Sequence, residues 1–440
     1  MESVTQRLFG TDGVRGVANS ELTAELAMNL ARAAGVGVDG HVVIGRDTRR
    51  SGPMLASAVA AGFNAVGVDT VDLGIIPVGA VSRLARDTGA VLGVMVSASH
   101  NPAEDNGIKF FGRDGAKLSD SAEAAIEARY HSNEVYSRPI GSAIGMQTYM
   151  TDAVSRYVDK IAQTVEYSMR GLEFVVDCAN GAAFAAAPAL FDKVGATVEI
   201  MADSPDGMNI NAGVGATHPE AVAKKANGKV GLAFDGDADR LIAVDEDGNT
   251  CDGDVLMAIF AKWQLDRGKL NKNTVVATVM SNLGFHQAMK RLEVDVVITP
   301  VGDRNVVEQM RVSRAVVGGE QSGHILLEDR STGDGLRTAL RLMEVMASSG
   351  MPLTELRKVM TELPQVLLNV RVKSKDGWDT NSDIADAIRA GERSLGPRGR
   401  VLVRPSGTEQ LIRVMVEAPT EGEATTIAAS IVDAVRAIQG

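Results

Sequence analysis

The stretch Val91-Leu92-Gly93-Val94-Met95-Val96-Ser97-Ala98-Ser99-His100-Asn101-Pro102, followed by Asp105-Asn106-Gly107-Ile108-Lys109, runs from an apolar strand into one polar loop that carries a hydroxyl nucleophile and a lysine. Outward from it, residues 20–99 alternate two periods. A helix begins at Glu21 near Ser20, then strand Val42–Gly45, helix Gly52–Gly67, strand Val71–Leu73, helix Val78–Asp87 and strand Val91–Ser97 follow. Helix and strand in alternation argue for α/β layers, whose ligands gather at the carboxyl ends of strands.

The rhythm restarts after Arg138–Gly145. A helix over Met150–Thr164 is followed by strand Phe174–Cys178, helix Ala183–Val194 and strands Thr197–Met201 and Val230–Phe234. The turn Asp245-Glu246-Asp247-Gly248-Asn249 opens a third round: helix Val255–Trp263, strand Val275–Val279, helix Gly284–Leu292, strands Val294–Ile298 and Ala315–Gly318, and helix Gly335–Met346. From Val366 the pattern becomes strand Val366–Val372, helix Asp383–Leu395, strands Val401–Arg404 and Leu411–Glu417, and helix Glu423–Ile438, a smaller α+β unit. The expectation is four domains, 1–145, 146–247, 248–363 and 364–440, three of them α/β. A chain of 440 residues exceeds a single ordinary core.

Apolar residues make up 45% and charged ones 23%, an ordinary folded composition without low-complexity segments. The net charge of −11 and an aromatic content of 4% argue against a nucleic-acid surface. Phosphate would have to be met by local clusters of arginine beside glycine, serine and threonine. Two distant cysteines, Cys178 and Cys251, read as reduced, buried thiols of a reducing compartment. No apolar run reaches membrane-helix length and the start lacks a signal-peptide pattern, so the expectation is a cytoplasmic protein without a membrane partner. The 18 methionines sit at core-like positions, and His41, His131 and His286 have no partner pattern.

Ser99 alone is a weak nucleophile, so it needs a base, or a metal and cations that bear the charge of a phosphoryl group. Asp235-Gly236-Asp237-Ala238-Asp239-Arg240 follows the apolar run Val230–Phe234 and supplies alternating carboxylates able to converge on one hard cation, with magnesium the natural occupant. A calcium EF-hand would want glycine where Arg240 stands, and Leu241–Val244 reads as a strand where that loop should curl. An aspartate-nucleophile phosphatase would leave the Ser99 block unexplained. Gly318-Gly319-Glu320-Gln321-Ser322-Gly323-His324 pairs glycines that allow close approach with groups able to bind sugar hydroxyls. Arg404-Pro405-Ser406-Gly407-Thr408-Glu409, with Arg413, has the chemistry of a phosphate clamp.

The block SASHNP…DNGIKFF resembles the signature of the α-D-phosphohexomutase superfamily, and DGDADR, GGEQSGH and RPSGTEQ resemble its metal, sugar and phosphate loops. Gln410 stands where the family usually has proline. FGTDGVRG and GRDTR resemble segments bordering the active site, and Gly302-Asp303-Arg304, in TPVGDRNV, resembles a further cleft loop. GVGATHPE departs at Val214 and Ala216 from a block the family often writes CGSTHPE, leaving a weak case for His218. The resemblance spans Phe9 to about Glu417 and implies mixed sheets sandwiched by helices around a central cleft.

It also implies roles. Ser99 would be a phosphoserine, with His100 and Asn101 shaping its loop, and Asp235, Asp237 and Asp239 with Ser99 would hold Mg2+. Arg15 and Lys109 would stabilise the transferring group, and the general base stays open among His324, Lys109 and Arg15. Glu320, Ser322, Arg240, Gly302 and Asp303 would meet the sugar, and Arg404, Ser406, Gly407, Thr408 and Arg413 a phosphate. The details GTDGVRG, SASHNPAEDNGIKFF and GGEQSGH resemble the bacterial branch that interconverts glucosamine 6-phosphate and glucosamine 1-phosphate, through a glucosamine 1,6-bisphosphate, for cell-wall precursors. The implied partners are a small sugar phosphate, a sugar bisphosphate activator, a loading protein kinase or autophosphorylation, and a homodimer. A mutase for glucose or mannose phosphates, or a non-catalytic sugar-phosphate sensor, is the alternative.

Overall fold

The structure, a computed structural model, describes residues 7–132, 136, 138–328, 331–406 and 410–439. Two compact units divide the chain: residues 1–280 with 295–358, and residues 281–294 with 359–440.

The first unit opens with β1 (Val14–Val17), α1 (Ala24–Gly35), β2 (His41–Arg46), α2 (Gly52–Asn64), β3 (Asp69–Ile75), α3 (Val78–Asp87), β4 (Leu92–Val96), β5 (Asp105–Gly112), α4 (Asp120–His131) and β6 (Gln147–Tyr149). The sheet order is β1-β5-β4-β2-β3-β6, with β5 antiparallel to both neighbours and β4, β2, β3 and β6 parallel. Every residue of β4 is buried, which is why it reads as an unbroken apolar run. Leu30, Leu55 and Phe63 of α1 and α2 pack with Val94 and Phe110 of the sheet in one core.

The second layer comprises α5 (Ala153–Ala162), β7 (Glu173–Asp177), α6 (Ala183–Val194), β8 (Thr197–Met201), α7 (Pro219–Ala226), β9 (Val230–Phe234), β10 (Leu241–Val244) and β11 (Thr250–Cys251), with sheet order β11-β10-β9-β7-β8. The third begins with α8 (Gly253–Asp266) and β12 (Thr274–Thr278). After α9 (Leu283–Arg291), which belongs to the second unit, it continues with β13 (Asp295–Thr299), α10 (Asp303–Ser313), β14 (Gly318–Gly319), β15 (Ile325–Leu326), α11 (Gly335–Ser349) and α12 (Leu353–Leu356), in sheet order β13-β12-β14-β15. The second unit also contains β16 (Gln365–Arg371), α13 (Ser382–Leu395), β17 (Arg400–Pro405), β18 (Leu411–Glu417) and α14 (Glu421–Gln439), whose sheet β16-β18-β17 is wholly antiparallel. Three α/β layers with mixed sheets and a smaller α+β unit are the fold expected from the sequence.

Several local expectations need correction. Ser99 and Lys109 do not share a loop, because Lys109 lies mid-strand in β5, opposite Met95 of β4. The first helix starts at Ala24, where Thr23 Oγ1 caps it by accepting from Leu26 N–H at 3.2 Å, while Glu21 turns back to accept from Val17 N–H at 2.9 Å. The first sheet takes β6 from beyond residue 145, so a boundary there cuts it one strand short. Gly302-Asp303-Arg304 is not simply a loop: Gly302, at φ 122°, caps α10 and Asp303 opens it. Cys178 and Cys251 are buried and not joined in a disulfide. Among the described residues, no helix is long and apolar enough to cross a membrane.

Candidate active site

Ser99 follows β4, the strand flanked by a parallel neighbour and an antiparallel one, and is completely buried. Its φ of 52° is the left-handed region, costly for a residue with a Cβ. The surrounding bonds impose it. Ser99 N–H donates to Ser97 Oγ at 2.9 Å, and Ser99 O accepts from Arg49 Nη2 and Asn211 Nδ2, both at 2.9 Å. Buried Arg49 also donates to Asn101 O at 2.8 Å, Asp105 O at 3.0 Å and Pro102 O, with its Nε on Asp47 Oδ2 at 2.9 Å. One guanidinium thus holds the loop's carbonyls together.

Ser99 Oγ donates to Asp235 Oδ2 and lies 3.3 Å from His100 Nδ1. Burial, then the charges of Arg240 and Arg15, push His100 down to about 4, so its ring is neutral near pH 7. The carboxylates of Asp235, Asp237 and Asp239 bring ligand oxygens within 4.8 Å of one another. Burial and the two neighbouring acids push Asp235 well up. Asp237 Oδ1 and Asp239 Oδ1 are buried without a hydrogen-bond partner among the described residues. Crowded anionic oxygens lacking donors fit a divalent cation. The close approach requires Gly236, since a Cβ there would sit 2.4 Å from Ser99 O.

Lys109 reaches Asp237 Oδ2 at 2.8 Å, Asp12 Oδ2 at 3.0 Å and Asp239 Oδ2 at 3.7 Å. Burial alone would lower its pKa, but these acids outweigh burial and hold it above its ordinary value. A lysine so held is an electrostatic group rather than a base. Arg15 pairs with Asp12 and donates to Asn101 Oδ1 at 3.1 Å. His324 points Nδ1 at Asp239 Oδ2 (3.3 Å) and Nε2 toward Asp303 Oδ2 (3.8 Å), and Gly333 N–H donates to Nε2 at 3.1 Å. Burial would lower His324, but Asp239 and then Asp303 lift it above its ordinary value.

Glu320 Oε1 accepts from Gly302 N–H at 3.0 Å, and Ser322 Oγ is buried without a hydrogen-bond partner among the described residues. The loop rests on the start of α8, where Gly253 N–H donates to Gln321 O at 2.9 Å. A cavity of about 230 Å³ is lined by Asp12, Arg15, His100, Arg240, Glu320 and His324, with Lys117, Gly302 and Asp303 also on its wall. Arg15, Asp239, Arg240, Gly302, Asp303, Glu320 and His324 therefore meet at one cavity, whereas Ser322 is not among its lining residues.

In the second unit, Arg404 of β17 and Arg413 of β18 are cross-strand partners, and burial and then Arg413 push Arg404 below its ordinary value. Two guanidiniums on facing strand positions have the fork chemistry that binds an anion. Ser406 N–H donates to Leu411 O at 2.9 Å, and Ser406 O accepts from Lys375 Nζ at 2.9 Å. Gly407 and Thr408 lie outside the described residues. His218 is half-buried and its Nδ1 lies 3.1 Å from Glu220 Oε1.

Sequence reasoning had not assigned Lys117, Asn211 or Lys375, and had quoted Asp12, Asp47 and Arg49 only inside their blocks. For Asp12, Asp47 and Arg49, acids and bases within glycine-containing motifs were a usable signal. Lys117, Asn211 and Lys375 carry none in their local sequence.

Models of the four phosphoglucomutase/phosphomannomutase domains match in order: domain I over residues 6–137, II over 155–248, III over 252–363 and the C-terminal domain over 367–434. Fold and site thus define a phosphohexomutase. A solved phosphoglucomutase/phosphomannomutase family protein of Burkholderia thailandensis superposes with a TM-score of 0.83 at 26% identity, covering 99% of this chain and 98% of that one. The phosphoglucosamine mutase of Desulforamulus reducens is 49% identical over 96% of this chain and 97% of its own. That of Moorella thermoacetica is 50% identical over 97% and 98%. The chain belongs to the phosphoglucosamine mutase family and is an isomerase of the intramolecular phosphotransferase kind.

Proposed function

We propose that the enzyme interconverts glucosamine 6-phosphate and glucosamine 1-phosphate by way of a phosphoryl group on Ser99. The observation that carries the phosphoserine is the placement of Ser99 Oγ on Asp235, beside two more buried carboxylates and Lys109, and the substrate is supported by the likeness to phosphoglucosamine mutases. A sugar hydroxyl oxygen bonds to phosphorus as the Oγ–P bond breaks, giving glucosamine 1,6-bisphosphate. That intermediate turns over and returns its other phosphate to Ser99. Lys109 and Arg15 stabilise the charge of the loose transition state, so positioning and electrostatics carry the rate. Bound at Asp235, Asp237 and Asp239, Mg2+ would supply further charge neutralisation. His324 and His100 are the candidates for moving the hydroxyl proton, since Lys109 is held charged.

Glu320, Ser322, Arg240, Gly302 and Asp303 would orient the sugar, and Arg404, Ser406 and Arg413, with Gly407 and Thr408, would bind the phosphate that is not reacting. The family-model spans support the four-part division of the chain. A sugar 1,6-bisphosphate would load Ser99. A loading kinase or autophosphorylation, and a homodimer, rest on the resemblance alone. A cytoplasmic setting agrees with two buried thiols and with a product that feeds UDP-N-acetylglucosamine.

A turnover assay with Mg2+ and a trace of bisphosphate tests the reading on glucosamine 6-phosphate, glucose 6-phosphate and mannose 6-phosphate. Preference for the amino sugar and complete loss in Ser99→Ala are expected. Preference for a neutral hexose would reassign the substrate, and turnover surviving in Ser99→Ala would remove the nucleophile.

A further inference from the structure

Lys117 lies just past β5, where its backbone bridges Phe111, and its side chain is only 7% exposed. Its ammonium meets Asp12 Oδ1 and, at 2.8 Å, Asp303 Oδ2. Asp12 gives its other oxygen to Arg15 and to Lys109, the latter at 3.0 Å. Asp303 Oδ2 lies 3.8 Å from His324 Nε2, and Asp239 Oδ2 lies 3.3 Å from His324 Nδ1 and 3.7 Å from Lys109. The contacts close a ring in which acids alternate with nitrogen-bearing side chains: Lys109, Asp12, Lys117, Asp303, His324, Asp239 and back to Lys109. Lys117 belongs to none of the motifs that pointed to this site.

The ring joins two sides of one cavity. Asp12 comes from the first layer, with Lys109 and Arg15. Asp303 heads α10 of the third layer next to Gly302, whose N–H holds Glu320. A buried ammonium between two carboxylates is an uncertain source of net stability, because desolvation offsets much of its attraction. It is a strong source of geometry, since neither acid can withdraw without stranding a charge.

We propose that Lys117 is a positioning residue for phosphoryl transfer: by bridging Asp12 and Asp303 it sets the sugar-binding edge of Gly302, Asp303 and Glu320 relative to Ser99 and Lys109. The proposal rests on the phosphoserine reading above. It separates two fates of phospho-Ser99. Transfer to a sugar breaks the Oγ–P bond and forms a bond from phosphorus to a sugar oxygen, whose proton ends on the freed Ser99 Oγ, and it needs the sugar-binding edge in register. Transfer to water breaks the same bond and releases inorganic phosphate, and it needs the acids and Lys109 but not that edge. A misplacement of about 1 Å costs on the order of a hundredfold in such a transfer.

The full-length enzyme is loaded with labelled phosphate from glucose 1,6-bisphosphate, and loss of label from Ser99 is followed with Mg2+ in single turnovers, with and without glucosamine 6-phosphate. In Lys117→Met the sugar-dependent rate is expected to fall by roughly a hundredfold, with decay to water unchanged within about threefold. Lys117→Arg should recover part of the sugar-dependent rate. Equal loss of both rates, or of neither, overturns the proposal. Should Lys117→Met not fold, the sugar-to-water ratio is expected to fall in the order wild type, Lys117→Arg, Lys117→Gln, and a flat ratio overturns it equally. Failure of the wild type to take label, or to pass it to the sugar, removes the phosphoserine reading itself and is seen before any variant is compared.

Discussion

Arg49→Met empties the centre of the Ser99 loop. The Arg49 side chain is completely buried and donates to the carbonyls of Ser99, Asn101, Pro102 and Asp105, while its Nε holds Asp47. Methionine replaces much of the stem and donates nothing. Removing one partner of a buried ion pair typically costs about 3–5 kcal/mol. Asp47 is already pushed up by burial even with Arg49 beside it, so it would take a proton when the guanidinium goes. That response sets the expected cost at the lower end, about 3 kcal/mol. The stranded groups all belong to Asp47 and residues 99–105, so the loss should appear as local opening of that loop rather than global unfolding. About 3 kcal/mol is roughly two orders of magnitude in the closed-to-open ratio. Amide exchange read by mass spectrometry on a peptide covering residues 97–106 should therefore quicken by about a hundredfold, and loading of Ser99 from a labelled bisphosphate should slow comparably. Arg49→Lys, which keeps the charge but loses the fork, should fall between. Wild-type protection of that peptide, with loading within about threefold of normal, would refute the argument.

Two further outcomes follow from the same packing. Mg2+ at about 100 times its Kd should stabilise the wild type by roughly 2.7 kcal/mol, seen as a rise in melting temperature that a chelator reverses. In Asp237→Asn that rise should largely vanish, because one of the three carboxylates that would hold the cation is neutralised; an undiminished rise would mean the cation sits elsewhere. Gly253→Ala would place a Cβ 2.0 Å from Glu320 O and 2.8 Å from Gly323 N, so the sugar loop must shift, at a typical overpacking cost of about 1–3 kcal/mol. The expected result is a kcat/KM for the sugar phosphate lowered about tenfold with the Mg2+-dependent melting shift intact, and unchanged kinetics would show that the loop is not seated on α8 as described.

What the sequence discloses follows from how locally each feature is encoded. Helix α3, helix α6 and strand β9 were legible end to end, because the helices bury one face, the strand is buried throughout, and turn-forming residues punctuate the apolar pattern. Strand β5 was not, because Asp105-Asn106-Gly107 looks like a turn. In the fold Asn106 donates to Ser51 Oγ at 2.9 Å, and Gly107 admits Ser97 O where a Cβ would sit at 2.5 Å, so polar and small residues there dock the strand. Helix α10 was missed for a related reason: Gly302 and Asp303 read as a loop, whereas glycine's freedom at φ 122° lets the chain turn straight into a helix.

The site divides along the same line. Three carboxylates alternating within five residues declare a cation from sequence, since their convergence needs only one turn. The balance of charge around them does not, because Asp12, Lys117 and Asp303 stand about 100 residues or more apart and acquire meaning only at distances near 3 Å. The same assembly narrows the choice of base by setting Lys109 aside. A lysine beside a reacting serine reads as a candidate proton acceptor until Asp12 and Asp237 are placed on it, after which it is held charged and its role is electrostatic. Motifs identify which groups can react; only the packed neighbours determine in which protonation state each one arrives.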